Sequence, residues 1–146
     1  MGVSWKDELN IGVYEIDAQH KELFTRLDRF MEATRHGEGS EHVTQLLDFL
    51  DDYVHRHFTA EEKLQRLMGY PHLGMHCAEH DSFLKEITKL RGRLMKLGAT
   101  PELAKLTKEV LQQWLIRHIC NTDKVLGAFF NEHRNREWER YLRDHF

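Results

Sequence analysis

Four stretches of this chain repeat apolar residues at the helical period, and each is interrupted on its apolar side by histidine or a carboxylate. The first carries Ile16, Leu23, Phe24, Leu27, Phe30 and Met31, with His20 in the series. The second runs Val43, Leu46, Leu47, Leu50, Val54, Leu64 and Met68 around His57 and Glu61. The third has Leu73, Phe83, Ile87, Leu90, Leu94 and Leu97, with His76 and His80 after the first of these. The fourth has Leu103, Leu106, Val110, Trp114, Ile119 and Leu126, joined by His118 and Asp123. Stripes of this period are amphipathic helices that must each bury one face. Four of them with short connections predict an all-α fold, an antiparallel up-down four-helix bundle.

Punctuation sets the expected boundaries. Asp17 is read as the N-cap of a first helix ending near Arg35, and Ser40 as the cap of the second after the breaker HGEGS. Gly69 and Pro71 stop that helix. Thr100 caps the fourth, with Pro101 at its first position. The 146 residues are read as one domain, long enough to bury a sizeable core. It comprises an extended arm (1–16), the bundle (about 17–130) and a charged tail (131–146). Trp5, Leu9, Ile11, Val13 and Tyr14 are available to pack the arm. Trp138, Tyr141 and Leu142 would dock the tail as a short helix.

Charge and composition exclude several classes. A net charge of −3 gives no electrostatic basis for binding nucleic acid or a membrane surface. The stretch MGVSWKDELN is too polar for a signal peptide, and no apolar run reaches transmembrane length. Two cysteines make no disulfide framework, which points to a reducing cytoplasm. A monomer is expected, since the polar faces carry no large apolar patch. The eleven histidines are the oddity.

Residues four apart on a helix are rotated by only about 40° and separated by about 6 Å along the axis. His57 with Glu61, and His76 with His80, therefore reach one point each. The spacing of His118 and Asp123 turns through about 500°, leaving them roughly 140° apart on a regular helix. A local π-type turn is predicted there to return both to one face. An unpaired buried polar group costs roughly 2–7 kcal/mol, and several would rival a domain's whole stability of about 5–15 kcal/mol. A metal removes the conflict by taking neutral imidazoles and deprotonated carboxylates as ligands. His36, His42, His55, His72, His133 and His145 fall in loops, in the tail or off the stripes. Cys77 and Cys120 are read as small buried residues and not as ligands.

The candidate set is His20, His57, Glu61, His76, His80, His118 and Asp123: too many donors for one tetrahedral zinc. It suits two six-coordinate first-row metals. With both carboxylates and an oxo or hydroxo group bridging, the five imidazoles leave one coordination position open for a small ligand.

In order and separation, the motifs D-x-x-H (17–20), H-x3-E (57–61), H-x3-H (76–80) and H-x4-D (118–123) resemble the hemerythrin family, its bacteriohemerythrins in particular. The likeness spans about residues 4–125. It implies a di-iron centre bridged by Glu61, Asp123 and an oxo or hydroxo group. His76, His80 and His118 would hold one iron; His20 and His57 would hold the other, which carries the open position. The implied function is reversible binding of O2 as hydroperoxide, in a carrier, store or delivery protein and not an enzyme, with any O2-consuming partner enzyme unspecified. Leu115 matches a family pocket residue; Trp114, Phe58 and Ile119 are read as further walls. An O2 or redox sensor and a di-iron oxidase, peroxidase or nitric oxide scavenger are the alternative readings.

Overall fold

The computed structural model describes residues 5–146, so the first four residues of the arm lie outside the described region. Four helical rods form the bundle: α1 (Tyr14–Arg35), α2 (Gly39–Met68), α3 (Leu73–Leu97) and a fourth that begins as α4 (Pro101–Val110). The fourth rod continues through two π-type segments, Leu111–Leu115 and His118–Asp123, into α5 (Lys124–Glu132). A last helix, α6 (Arg136–His145), packs back against α2. Packing of α1 on α2, α2 on α3, α3 on α4 and α4 on α1 closes the ring. Among the described residues there is no strand, and no helix is long and apolar enough to cross a membrane.

The helix ends follow local chemistry, with two corrections. Helix α1 starts at Tyr14, not Asp17, and Asp17 has a different task. Its carboxylate accepts the backbone N–H of Ile11 at 2.8 Å and of Gly12 at 3.2 Å, pinning the arm across the helix start. Tyr14 is 81% exposed, unlike Leu9, Ile11 and Val13, which are buried. Ser40 lies inside α2; Glu38 occupies the cap position without a side-chain bond. Gly69 ends α2 in the left-handed conformation (φ 63°), where a Cβ would be strained, and the Tyr70 N–H closes the turn on the Gln65 carbonyl. Thr100 caps α4 as expected, its hydroxyl accepting the Leu103 N–H at 3.1 Å. Leu97, placed on the third stripe, is exposed.

The apolar interior is in two parts. One contains Phe24, Leu27, Met31, Leu47, Leu50, Phe58, Phe83, Ile87, Leu115 and Ile119. The other contains Ile11, Val13, Ile16, Leu64, Met68, Leu126 and Phe130, with Trp138 and Leu142 from α6. Three of the four rods pass from one part to the other across their polar residues: Leu23 to Ile16 over His20, Phe58 to Leu64 over Glu61, Ile119 to Leu126 over Asp123. Gly127 lets the arm seal the second part, since a Cβ there would collide with the Ile11 carbonyl. Gly127→Ala is expected to destabilise the chain by about 1–3 kcal/mol through overpacking. Urea unfolding measures this, and an unchanged midpoint would contradict the close approach.

Candidate metal centre

All seven candidate ligands are brought together in the band between the two apolar parts, and none is more than 5% exposed. Glu61, His76, His80, His118 and Asp123 form one group whose donor atoms lie within 4.8 Å of one another. His20, His57 and Glu61 form a second group of the same kind. The π-type turn His118–Asp123 delivers what regular geometry cannot, placing Asp123 Oδ1 3.1 Å from His118 Nε2.

The two carboxylates divide their oxygens between the groups. Glu61 Oε1 lies 2.8 Å from His76 Nε2 and 3.3 Å from His80 Nε2, whereas Oε2 lies 3.3 Å from His57 Nε2. Asp123 Oδ1 is 3.0 Å from His76 Nε2, and Oδ2 is 3.3 Å from His20 Nε2. Each carboxylate thus stands between a three-histidine set and a two-histidine set.

The outer nitrogens of three imidazoles are tied. His57 Nδ1–H donates to Gln19 Oε1, His80 Nδ1–H to Glu62 Oε2 (2.8 Å) and His118 Nδ1–H to Glu79 Oε1 (3.0 Å). Thr122 Oγ1 donates to the same Glu79 at 2.8 Å. Because carboxylate and amide oxygens only accept, these bonds fix the Nδ1–H tautomer and turn the Nε2 lone pair inward. The spacing-based reading missed all three partners. They follow a pattern: Gln19 beside His20 serves α2, Glu62 beside Glu61 serves α3, and Glu79 beside His80 serves the fourth rod. Each helix orients a ligand of the next.

The electrostatics are those of a site built for cations. Burial opposes charge on Glu61, yet His57, His76 and His80 hold its carboxyl well below the usual range. Burial and Glu61 push Asp123 upward, but His118 and His20 outweigh them and its carboxyl is also held low. Burial disfavours imidazolium at His76, but Asp123 and Glu61 raise it to about 10. His80 is raised against burial by Glu61 and Glu62, while burial lowers His57. Both Glu61 oxygens, Asp123 Oδ1 and the Nε2 atoms of His76, His80 and His118 are buried without a hydrogen-bond partner. Convergent, dry and unpaired donors of this kind fit a pair of metal ions.

Around the band, Phe58 stacks on His80 (3.6 Å between centroids) and Trp114 stacks on His118 (4.6 Å). Phe58, Leu115 and Ile119 are buried; Trp114 is half-buried. Cys77 and Cys120 are free, half-buried where burial was expected, and in neither donor group. His36, His42, His55, His72, His133 and His145 are exposed.

A four-helix bundle with a histidine-rich paired metal site in its interior is the class that fold and centre define. The chain belongs to the hemerythrin family: the family model described as "Hemerythrin HHE cation binding domain" matches residues 11–130. It is similar to the bacteriohemerythrin of Stenotrophomonas maltophilia (strain R551-3), at 29% identity over 142 residues, 92% of this chain and 90% of the relative. The bacteriohemerythrin of Pseudomonas aeruginosa (strain LESB58) is 31% identical over 121 residues, 82% of this chain and 75% of the relative. That of Methylococcus capsulatus (Bath) is 31% identical over 120 residues, 82% and 89% of the two chains. Membership makes this a di-iron protein that binds O2.

Proposed function

We propose that the chain carries or stores O2, binding it reversibly on the side of the centre held by His20 and His57. The observation that supports this most directly is the asymmetry of the donors: three histidines face one end of the bridging carboxylates and two the other. His76, His80 and His118 would hold one iron and His20 and His57 the other, with Glu61 and Asp123 shared. An iron pair held by these residues would supply reversible two-electron chemistry to O2.

The protein's own part is positioning and exclusion of water. Gln19 holds the His57 ring, while Glu62 and Glu79 hold His80 and His118, so the donors need no reorganisation as charge shifts between them. Phe58, Leu115 and Ile119, with Trp114 beyond, form the apolar wall that keeps water and protons from the bound gas. We place the chain in a reducing cytoplasm, on its two free cysteines, and as a monomer, since its large exposed apolar residues are spread over α1, α2, α3 and α5.

Cycling the reduced, iron-loaded protein between O2 and argon tests the reading. A visible absorption band should appear with O2 and vanish on its removal, over repeated cycles. Continuous consumption of a reductant with release of water or peroxide would instead make it an oxidase. In the same cycle, Leu115→Asn should keep its iron but oxidise irreversibly about tenfold faster, equivalent to roughly 1.4 kcal/mol of barrier. A wild-type rate would remove Leu115 from the wall.

A further inference from the structure

The helix α6 lies beyond the residues the family model matches, yet its end reaches the centre. Trp138 and Leu142 anchor it in the second apolar part. The Tyr141 hydroxyl donates to the carbonyl of Ala60, the residue before Glu61, at 2.9 Å. The Phe146 ring then stands edge-on to the His57 ring, with centroids 6.1 Å apart. Behind His57 is a cleft of about 310 Å³, lined also by Gln19, Glu22, Tyr53, Arg56, His145 and Phe146.

The two sets of histidines are not equally secured. In the three-histidine set, His80 and His118 are tied through Nδ1 to carboxylates, and His76 Nδ1 is buried with no partner. In the two-histidine set, His57 is tied only to the neutral Gln19 amide, and His20 Nδ1 is buried with no partner. A bond to a neutral group is roughly half as strong as one to an ionised group. A metal leaves when a ligand side chain swings away from it, and the cleft is the space into which His57 would swing. Phe146 is one of the residues that line that space.

We propose that α6 and Phe146 form a latch on His57 that sets how fast the metal held by His20 and His57 exchanges, separately from its neighbour. The proposal rests on the ligand assignment of the preceding subsection. Phe146 is a positioning residue here: its ring stands edge-on beside His57 and acts on the metal through that ring.

Anaerobic extraction of iron from the loaded protein by excess bipyridine, followed by absorbance, tests it. Phe146→Ala should speed the release of half the iron by about 10-fold, the lower end of what the loss of an outer partner costs a metal ligand. The other half should leave at the wild-type rate. Phe146→Leu, which restores apolar bulk, should return most of the retention, and Tyr141→Phe, which frees the tether at Ala60, should reproduce part of the defect. Equal acceleration of both halves, or no acceleration, overturns the latch. A wild-type protein that binds other than two irons per chain would overturn the ligand assignment itself, and the latch with it.

Discussion

Glu61→Ala is expected to strip the chain of its paired metal, lowering iron content from two per chain to one or none after desalting. Glu61 is fully buried and, among the described residues, is the one side chain that reaches His57, His76 and His80 together. Losing a partner one step removed from a metal typically costs 10–100-fold in affinity, so removal of a shared ligand should cost more than about 100-fold. The metal-free fold suffers as well. His76 owes its raised pKa to Asp123 and Glu61 against burial, and taking Glu61 away leaves buried imidazoles short of a counter-charge. Breaking a buried pair on one side costs about 3–5 kcal/mol. Glu61→Gln keeps the shape without the charge and separates the two effects: iron should still fall, with less loss of stability. Elemental analysis beside urea unfolding reads both. Two irons retained in Glu61→Ala would end its role as a bridge.

Removal of the metals is expected to lower the melting temperature by about 8–16 °C. Ligand at a thousandfold excess over its dissociation constant stabilises by about 4.1 kcal/mol, and each kcal/mol moves a chain of this size by about 2–4 °C. The metal-free chain should also differ in its pH response. His76 is raised to about 10, so its pairing with Asp123 and Glu61 stabilises fully below the ordinary imidazole pKa of about 6.5. That contribution fades as pH rises towards 10. Glu61 and Asp123 are depressed, so their contribution is present above the ordinary carboxylate range and lost in acid. The metal-free protein should therefore lose stability from neutral pH upward. The loaded protein should bind its metals more tightly over the same rise, because protons compete with metal for His76 and His80. At pH 7, iron(II) binding should release at least one proton per chain, that of His76, with the upward shift of His80 adding to it. Calorimetry in buffers of different ionisation enthalpy counts them. No proton release would mean that the imidazoles meet the metal already neutral, contrary to the raised pKa values of both.

The seven candidate ligands were legible as interruptions in apolar stripes because burial periodicity is a local property, repeated every turn and readable within one helix. The spacing of His118 and Asp123 even carried its own π-type turn, since five residues of regular helix point the pair apart. The other π-type segment, Leu111–Leu115, has no comparable mark. Asp17 shows the limit of propensity: a good cap residue, it serves the arm's backbone three residues inside α1. Gln19, Glu62 and Glu79 were missed for a related reason. Each sits beside a ligand on its own helix but bonds to one 18 to 39 positions away.

Fold class, the choice of candidate ligands and the burial of an ionisable band are properties of this sequence alone, because hydrophobic period and buried charge are decided turn by turn. Which oxygen of Glu61 and Asp123 faces which histidines, which neighbour steadies each ring, and that α6 comes to rest on His57 are decided only by tertiary structure. Contacts between rods depend on their rotation and offset against one another, and that choice is made by the packing of the whole interior.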